Sequence, residues 1–97
     1  MGYFFGHKTS LGYGRSVRLA NTILRKSGTP STGAAVLLNA LASEVTAVHL
    51  RGEEAEQAAR YLREIAPRLN RADRAAALAI AEDAEHASDS GNGWDIH

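Results

Sequence analysis

The sequence predicts an α+β domain in which about four helices cover one face of a small sheet of two or three strands, with an all-helical bundle as the alternative. Three observations carry this expectation. Four segments place apolar residues at helical spacing between capping and terminating residues. Five of the six aromatics, Tyr3, Phe4, Phe5, Tyr13 and Trp94, lie near the chain ends. One interior stretch, Val45-Thr46-Ala47-Val48-His49-Leu50, is rich in β-branched residues and bounded by Ser43 and Gly52, as a short strand would be. Ninety-seven residues leave room for one core, so 1–97 reads as a single domain.

The aromatic distribution also sets the topology. Large rings supply much of a small core's buried area, and rings at frayed ends would waste it. The two ends are therefore expected to meet. Tyr3-Phe4-Phe5 reads as one strand, and Trp94-Asp95-Ile96-His97 alternates apolar with polar residues as another. The alternative for 88–97 is a flexible tail opened by Gly91-Asn92-Gly93.

Between the ends, Gly6 to Gly14 reads as a loop. Ser16 is expected to cap a first helix through Val17, Ala20, Ile23 and Leu24, with Arg25 and Lys26 at its C-terminal end, where cations suit the macrodipole. Gly28 then ends it. Thr29-Pro30 reads as cap and first-turn proline of a second helix, whose Ala34, Leu37, Leu38 and Leu41 form one apolar stripe. Glu53, Glu54 and Glu56 crowd the start of a third helix, with Ala55, Ala58, Ala59, Leu62, Ile65 and Leu69 on one side and Pro67 ending or kinking it. Asn70 caps a fourth helix over the alanine-dense stretch Ala72 to Ala87, where Leu78 and Ile80 are expected to carry most of the docking energy.

Net charge is zero, but the signs are separated. Residues 1–43 hold Lys8, Arg15, Arg18, Arg25 and Lys26 and no acid, whereas residues 44–97 hold all eleven acids against six arginines. Such asymmetry can create a basic face for an anionic partner; the alternative is that the two parts attract each other within the fold or across a dimer.

The absence of cysteine removes disulfides, thiolate nucleophiles and cysteine metal sites, and fits a reducing cytoplasm. No run approaches the ~18 apolar residues of a membrane span, and the first residues lack a signal peptide's charged start and apolar core. His7, His49, His86 and His97 are far apart in sequence, and Glu82 with His86 offers only two ligands, so neither a metal nor another cofactor is expected. Glu82, Asp83 and Glu85 read as the solvated side of the fourth helix. Ser10, Ser16 and Ser31 lack a nucleophile-elbow context.

The most suggestive feature is the glycine-containing turn before the first helix. A strand, a glycine turn and a helix N-terminus can present backbone N–H groups to a phosphate. Gly12-Tyr13-Gly14 lacks the third glycine of a dinucleotide fingerprint, since Val17 stands there, and Gly6-His7-Lys8-Thr9 lacks the spacing of a Walker loop. Lys8, Tyr13, Gly14, Arg15, Arg18 and Arg25 are the candidate ligand- or nucleic-acid-binding residues, with a solvated basic face as the plain alternative.

Met1-Gly2-Tyr3 opening into a loop with glycine and histidine, Val45-Thr46 leading to Glu53-Glu54-Ala55, and the closing Gly93-Trp94 together resemble a group of small uncharacterised proteins from streptomycetes and their relatives. The resemblance implies a fold outline and no mechanism. The expected function is therefore a non-enzymatic protein-interaction or regulatory module, homodimeric or with another protein partner. The alternative is a binder of nucleic acid or another phosphate-bearing ligand. A third class, an oligomeric enzyme, would need His7 or His49 beside a carboxylate in a cleft.

Overall fold

Trp94 decides how the chain closes. In the computed structural model, which describes residues 2–5, 9–26, 30–43, 47–91 and 93–97, its ring is 1% exposed. Its indole N–H donates to the Phe5 carbonyl at 2.6 Å, and the two rings lie 6.2 Å apart. The ends do meet. Phe4 and His97 exchange backbone bonds of 2.6 and 3.1 Å.

The elements in chain order are β1 (Gly2–Phe4), β2 (Ser10–Gly12), α1 (Tyr13–Lys26), α2 (Thr32–Ala42), β3 (Val48–Leu50), α3 (Gly52–Ile65), a 3-10 turn (Ala66–Arg68), α4 (Arg71–Ser90) and β4 (Trp94–Ile96). This is the α+β class with its four helices. The strands form two antiparallel ribbons, β1 with β2 and β3 with β4, rather than one sheet. The Phe4 and His97 pair joins one ribbon to the other. Ser10-Leu11-Gly12 had read as loop, and it becomes a strand by lying against β1, with Tyr3 opposite Leu11.

Helix starts differ from expectation where packing overrides local chemistry. Ser16 is not a cap but sits inside α1, fully buried on the stripe with Leu19, Ala20 and Ile23. The α2 N-cap is Ser31, one residue past Pro30; Thr29 lies outside the described residues, as do Lys8, His7, Gly28 and Val45-Thr46. Asn70 caps α4 as its spacing to Asp73 predicts, its side-chain oxygen accepting the Asp73 N–H at 2.8 Å. Gly91 ends the same helix with φ of 76°, the left-handed conformation that glycine tolerates.

One hydrophobic cluster gathers residues from every helix and from β1, β3 and β4. Its two halves are built differently. The α1 and α2 contribution uses Leu19, Ile23, Leu37, Leu38 and Leu41, whereas α3 and α4 bury mostly alanines, Ala55, Ala58, Ala59, Ala76, Ala77, Ala81 and Ala84, beside Leu62, Ile65 and Ile80. Small side chains let the two backbones approach closely, so the helices trade large side chains for many short-range contacts. Ile80 is buried but Leu78 is only half-buried, so Leu78 buries less of its side chain than full docking would require. Gly33 serves a similar close approach, because a Cβ there would collide with the Glu54 carbonyl while its N–H donates to Gln57 Oε1 at 2.8 Å.

Polar bonds tie the helix ends together. The Arg74 guanidinium of α4 donates to the carbonyls of Ala66, Pro67 and Leu69 at the end of the preceding segment, adding to the bond that the Ala66 carbonyl accepts from the Leu69 N–H. At the start of α3, the Glu54 side chain accepts the Arg51 backbone N–H at 2.9 Å. That bond holds the Glu54 carboxyl below its ordinary range. No helix among the described residues is long and apolar enough to cross a membrane.

Candidate functional site

Burial of Leu19, Ala20 and Ile23 turns the opposite side of α1 to solvent. Gly14, Arg18, Asn21 and Arg25, spaced four, three and four residues apart, form one exposed stripe, and Lys26 adjoins it. At 1.5 Å per residue the stripe runs roughly 17 Å. Arg18, Asn21, Thr22, Leu24 and Arg25 line a groove of about 530 Å³ on this helix. Arg25 donates to the Thr22 hydroxyl at 3.4 Å. Among the described residues, none of Arg18, Arg25 and Lys26 is paired with a carboxylate.

The other candidates are placed differently. Arg15 leans toward the start of α4, donating to the Ala72 carbonyl at 3.2 Å and standing 3.9 Å from Asp73. It is the one ion pair among the described residues that joins the basic first part to the acidic second. Tyr13 packs edge-on against Tyr3 with centroids 4.8 Å apart, which makes it part of the wall around the core. Gly14 is helical and exposed, with open space where a Cβ would stand, so no close backbone approach requires glycine there. Lys8 lies outside the described residues. The groove thus unites Arg18 and Arg25 with Asn21 and Thr22, two polar residues that sequence reasoning passed over although they share the helix face.

A second concave region lies where the C-terminal half of α4 meets the joined chain ends. Phe4, Phe5, Asp83, His86, Trp94, Asp95 and His97 are among its lining, around a cleft of about 310 Å³. Asp83 does not belong to a solvated face. It is 1% exposed, and its carboxylate accepts the Thr9 backbone N–H at 2.9 Å. Its placement follows from the helical repeat, since residue 83 is three past Ile80 and seven past Ala76, on the buried stripe. The Thr9 hydroxyl adds a bond to the Ala79 carbonyl at 3.3 Å, fixing the segment before β2 to α4.

His49 does find a carboxylate, Asp95, its cross-strand neighbour, at 2.6 Å from Nδ1. Both side chains are more than half exposed, so this pair stands at the outer rim of the fold, with Asp95 but not His49 among the lining of the α4 cleft. Among the described residues no group of three or more histidines and carboxylates is arranged to hold a metal ion. Between α3 and α4, Arg63 donates to both oxygens of Glu85. The guanidinium holds the Glu85 carboxyl below its ordinary range, and the carboxylate in turn raises Arg63.

A family model for a domain of unknown function, DUF7739, matches residues 14–97. The chain belongs to that family. The DUF7739 match takes in the α1 stripe from Gly14 onward and every lining residue of the α4 cleft except the Phe4 and Phe5 wall. No curated protein and no solved structure matches the chain significantly.

Proposed function

We propose that this DUF7739 protein is a non-enzymatic protein-interaction module of the actinobacterial cytoplasm, which recognises an acidic surface through α1. The observation that carries the reading is the α1 groove, in which Arg18 and Arg25 flank Asn21 and, among the described residues, have no carboxylate partner. Guanidinium groups of this kind donate to both oxygens of a carboxylate in bidentate geometry and suit interfaces better than ammonium groups do. Leu24 contributes an apolar patch to the same groove, which favours a folded or helical protein partner over a bare phosphate chain. The acidic residues of a second copy make a homodimer the first partner to examine.

The test compares wild type with the double charge reversal R18E/R25E, after circular dichroism has shown both to be folded. Sedimentation velocity reports self-association, and crosslinking in host cells followed by mass spectrometry reports other partners. The reading expects a dimer or a defined acidic partner with the wild type and its loss in the variant. The same associations in both proteins would remove α1 as the recognition surface.

One observation favours a second reading, the binding of nucleic acid or another phosphate-bearing ligand. Arginines, an asparagine and a threonine hydroxyl on one exposed helix face are also the groups that contact phosphate oxygens. Anisotropy of labelled mixed-sequence DNA and RNA across salt concentrations separates the two. Association that weakens steeply with salt supports phosphate binding, and no association even at low salt removes it.

A further inference from the structure

Spacing along α1 specifies the occupant of its groove further than charge does. Resting on the reading that α1 recognises an acidic surface, we propose that the partner is an amphipathic helix of another protein, laid lengthwise on α1. That helix carries two carboxylates seven residues apart beside an apolar stripe. Arg18 and Arg25 are themselves seven residues apart, so the helical repeat brings them nearly into line, about 10.5 Å apart along the axis. The seven-residue step of a partner helix has the same length and the same alignment. Side chains on one face of an extended strand recur at about 6.7 and 13.4 Å, and neither distance matches. Arginine stems flex, so the mismatch lowers affinity without abolishing it.

Two further observations agree. Gly14, Arg18, Asn21 and Arg25 step by four, three and four residues, the alternation of a seam along which two helices pack at a crossing angle of about 20°. Nothing within the fold approaches the place of a Cβ at Gly14, so the start of the seam is open to a second helix. Val17 and Leu24, also seven apart, border the seam on one side and are half-buried. They offer an apolar edge that an amphipathic helix covers and a phosphate chain does not use. A second copy of this chain matches less well. Glu82 and Asp89 of α4 are exposed and seven apart, but Glu85 and His86 lie between them on that face, where the apolar residues are needed.

The probes are capped, alanine-rich helical peptides added at low salt to the full-length protein labelled with ¹⁵N, with the backbone amides of Arg18, Asn21 and Arg25 as the readout. The first peptide carries two glutamates seven residues apart with leucines between them on the same face. The second has the same composition with its glutamates five apart, on different faces. A β-branched peptide with glutamate at alternate positions stands for a strand, and oligothymidylate for a phosphate chain.

The expected result is saturable shifts confined to α1, with the first peptide bound at least about threefold more tightly than the second, the size of one exposed ion pair. Added salt should shrink that preference. R18E/R25E should lose the first peptide and bind its lysine counterpart instead, an exchange that loss of folding would not produce. Equal affinity for the two helical peptides, tighter binding of the strand peptide or of oligothymidylate, or failure of the charge exchange would overturn the proposal. Self-association that R18E/R25E abolishes would also overturn it, by giving the face to a second copy. If the charge reversal abolishes association with another protein while no helical peptide binds, the helical occupant is wrong and recognition through α1 stands. Associations unchanged by the charge reversal would remove both.

Discussion

Two charged helices, α1 and α4, use their ionisable groups in opposite ways. On α1, Arg18, Arg25 and Lys26 face solvent without a carboxylate partner among the described residues, and only Arg15 is committed, to the start of α4. On α4, Asp83 is buried against the Thr9 backbone, Arg74 supplies three bonds to the end of the preceding segment, and Glu85 is clasped by Arg63 of α3. A chain of zero net charge therefore has one helix whose charges hold the fold together and another whose charges are left for something else. Whether a charge is structural follows from its angular position on the helix and not from its local composition.

The sharpest way to break this comparison is Asp83→Ala. It leaves the Thr9 N–H without its acceptor and opens a small void beside Ile80, and the expected loss is about 2–4 kcal/mol. Urea denaturation gives the loss, and amide exchange at Thr9 should quicken by more than that at residues in α3. A loss no larger than that of an α1 surface arginine would show that α4 does not depend on its buried acid.

A smaller effect tests the helix starts. Asn70→Ala removes the side-chain acceptor of the Asp73 N–H, and about 1 kcal/mol of stability should go with it. No acid lies in the first turn of α1, which follows β2 directly. Tyr13→Ser, which adds capping chemistry there, should therefore not stabilise the protein, because it removes the ring that packs on Tyr3. Thermal melts of the two variants and the wild type measure both.

Much of this was legible in the sequence, and the exceptions have physical causes. The ring distribution predicted closure of the ends, because only a joined pair of termini could bury Tyr3, Phe5 and Trp94 together. Asn70 and Asp73 announced the start of α4 by spacing alone. β2 was not legible, since three residues with a single apolar member show no alternation and gain strand character only from the β1 edge beside them. Asp83 was misread because its neighbours Glu82 and Glu85 suggest a polar face, although the repeat from Ala76 and Ile80 pointed inward. At the candidate site, the Arg18 and Arg25 face followed from helical spacing, but the α4 cleft did not. Its residues come from β1, α4 and β4, which no local pattern brings together.

The Arg63 and Glu85 pair tests the comparison by pH. The folded-state carboxyl of Glu85 lies below its unfolded value, so its contribution is present above the unfolded pKa of about 4.3 and is lost as pH falls through the folded one. Both side chains are nearly half exposed, and solvent screening limits the contribution to under about 1 kcal/mol. Glu85→Gln should therefore be slightly less stable than wild type at neutral pH and equal to it in strong acid. A difference that persists unchanged in acid would mean that packing of the side chain, and not its charge, joins α3 to α4.

The smallest expected effect is the most telling about α1. Removing the charges of Arg18 and Arg25 together, as R18Q/R25Q, takes away no ion pair and no buried contact, so stability should stay within about 0.5 kcal/mol of wild type. Because like charges repel along one face, any change at low salt should be a slight gain that fades as salt is added. That outcome places the two guanidiniums outside the energetics of folding, consistent with the recognition proposed for α1. A loss of several kcal/mol would instead mean that α1's cations hold the chain together as α4's ions do, and the asymmetry between the two helices would vanish.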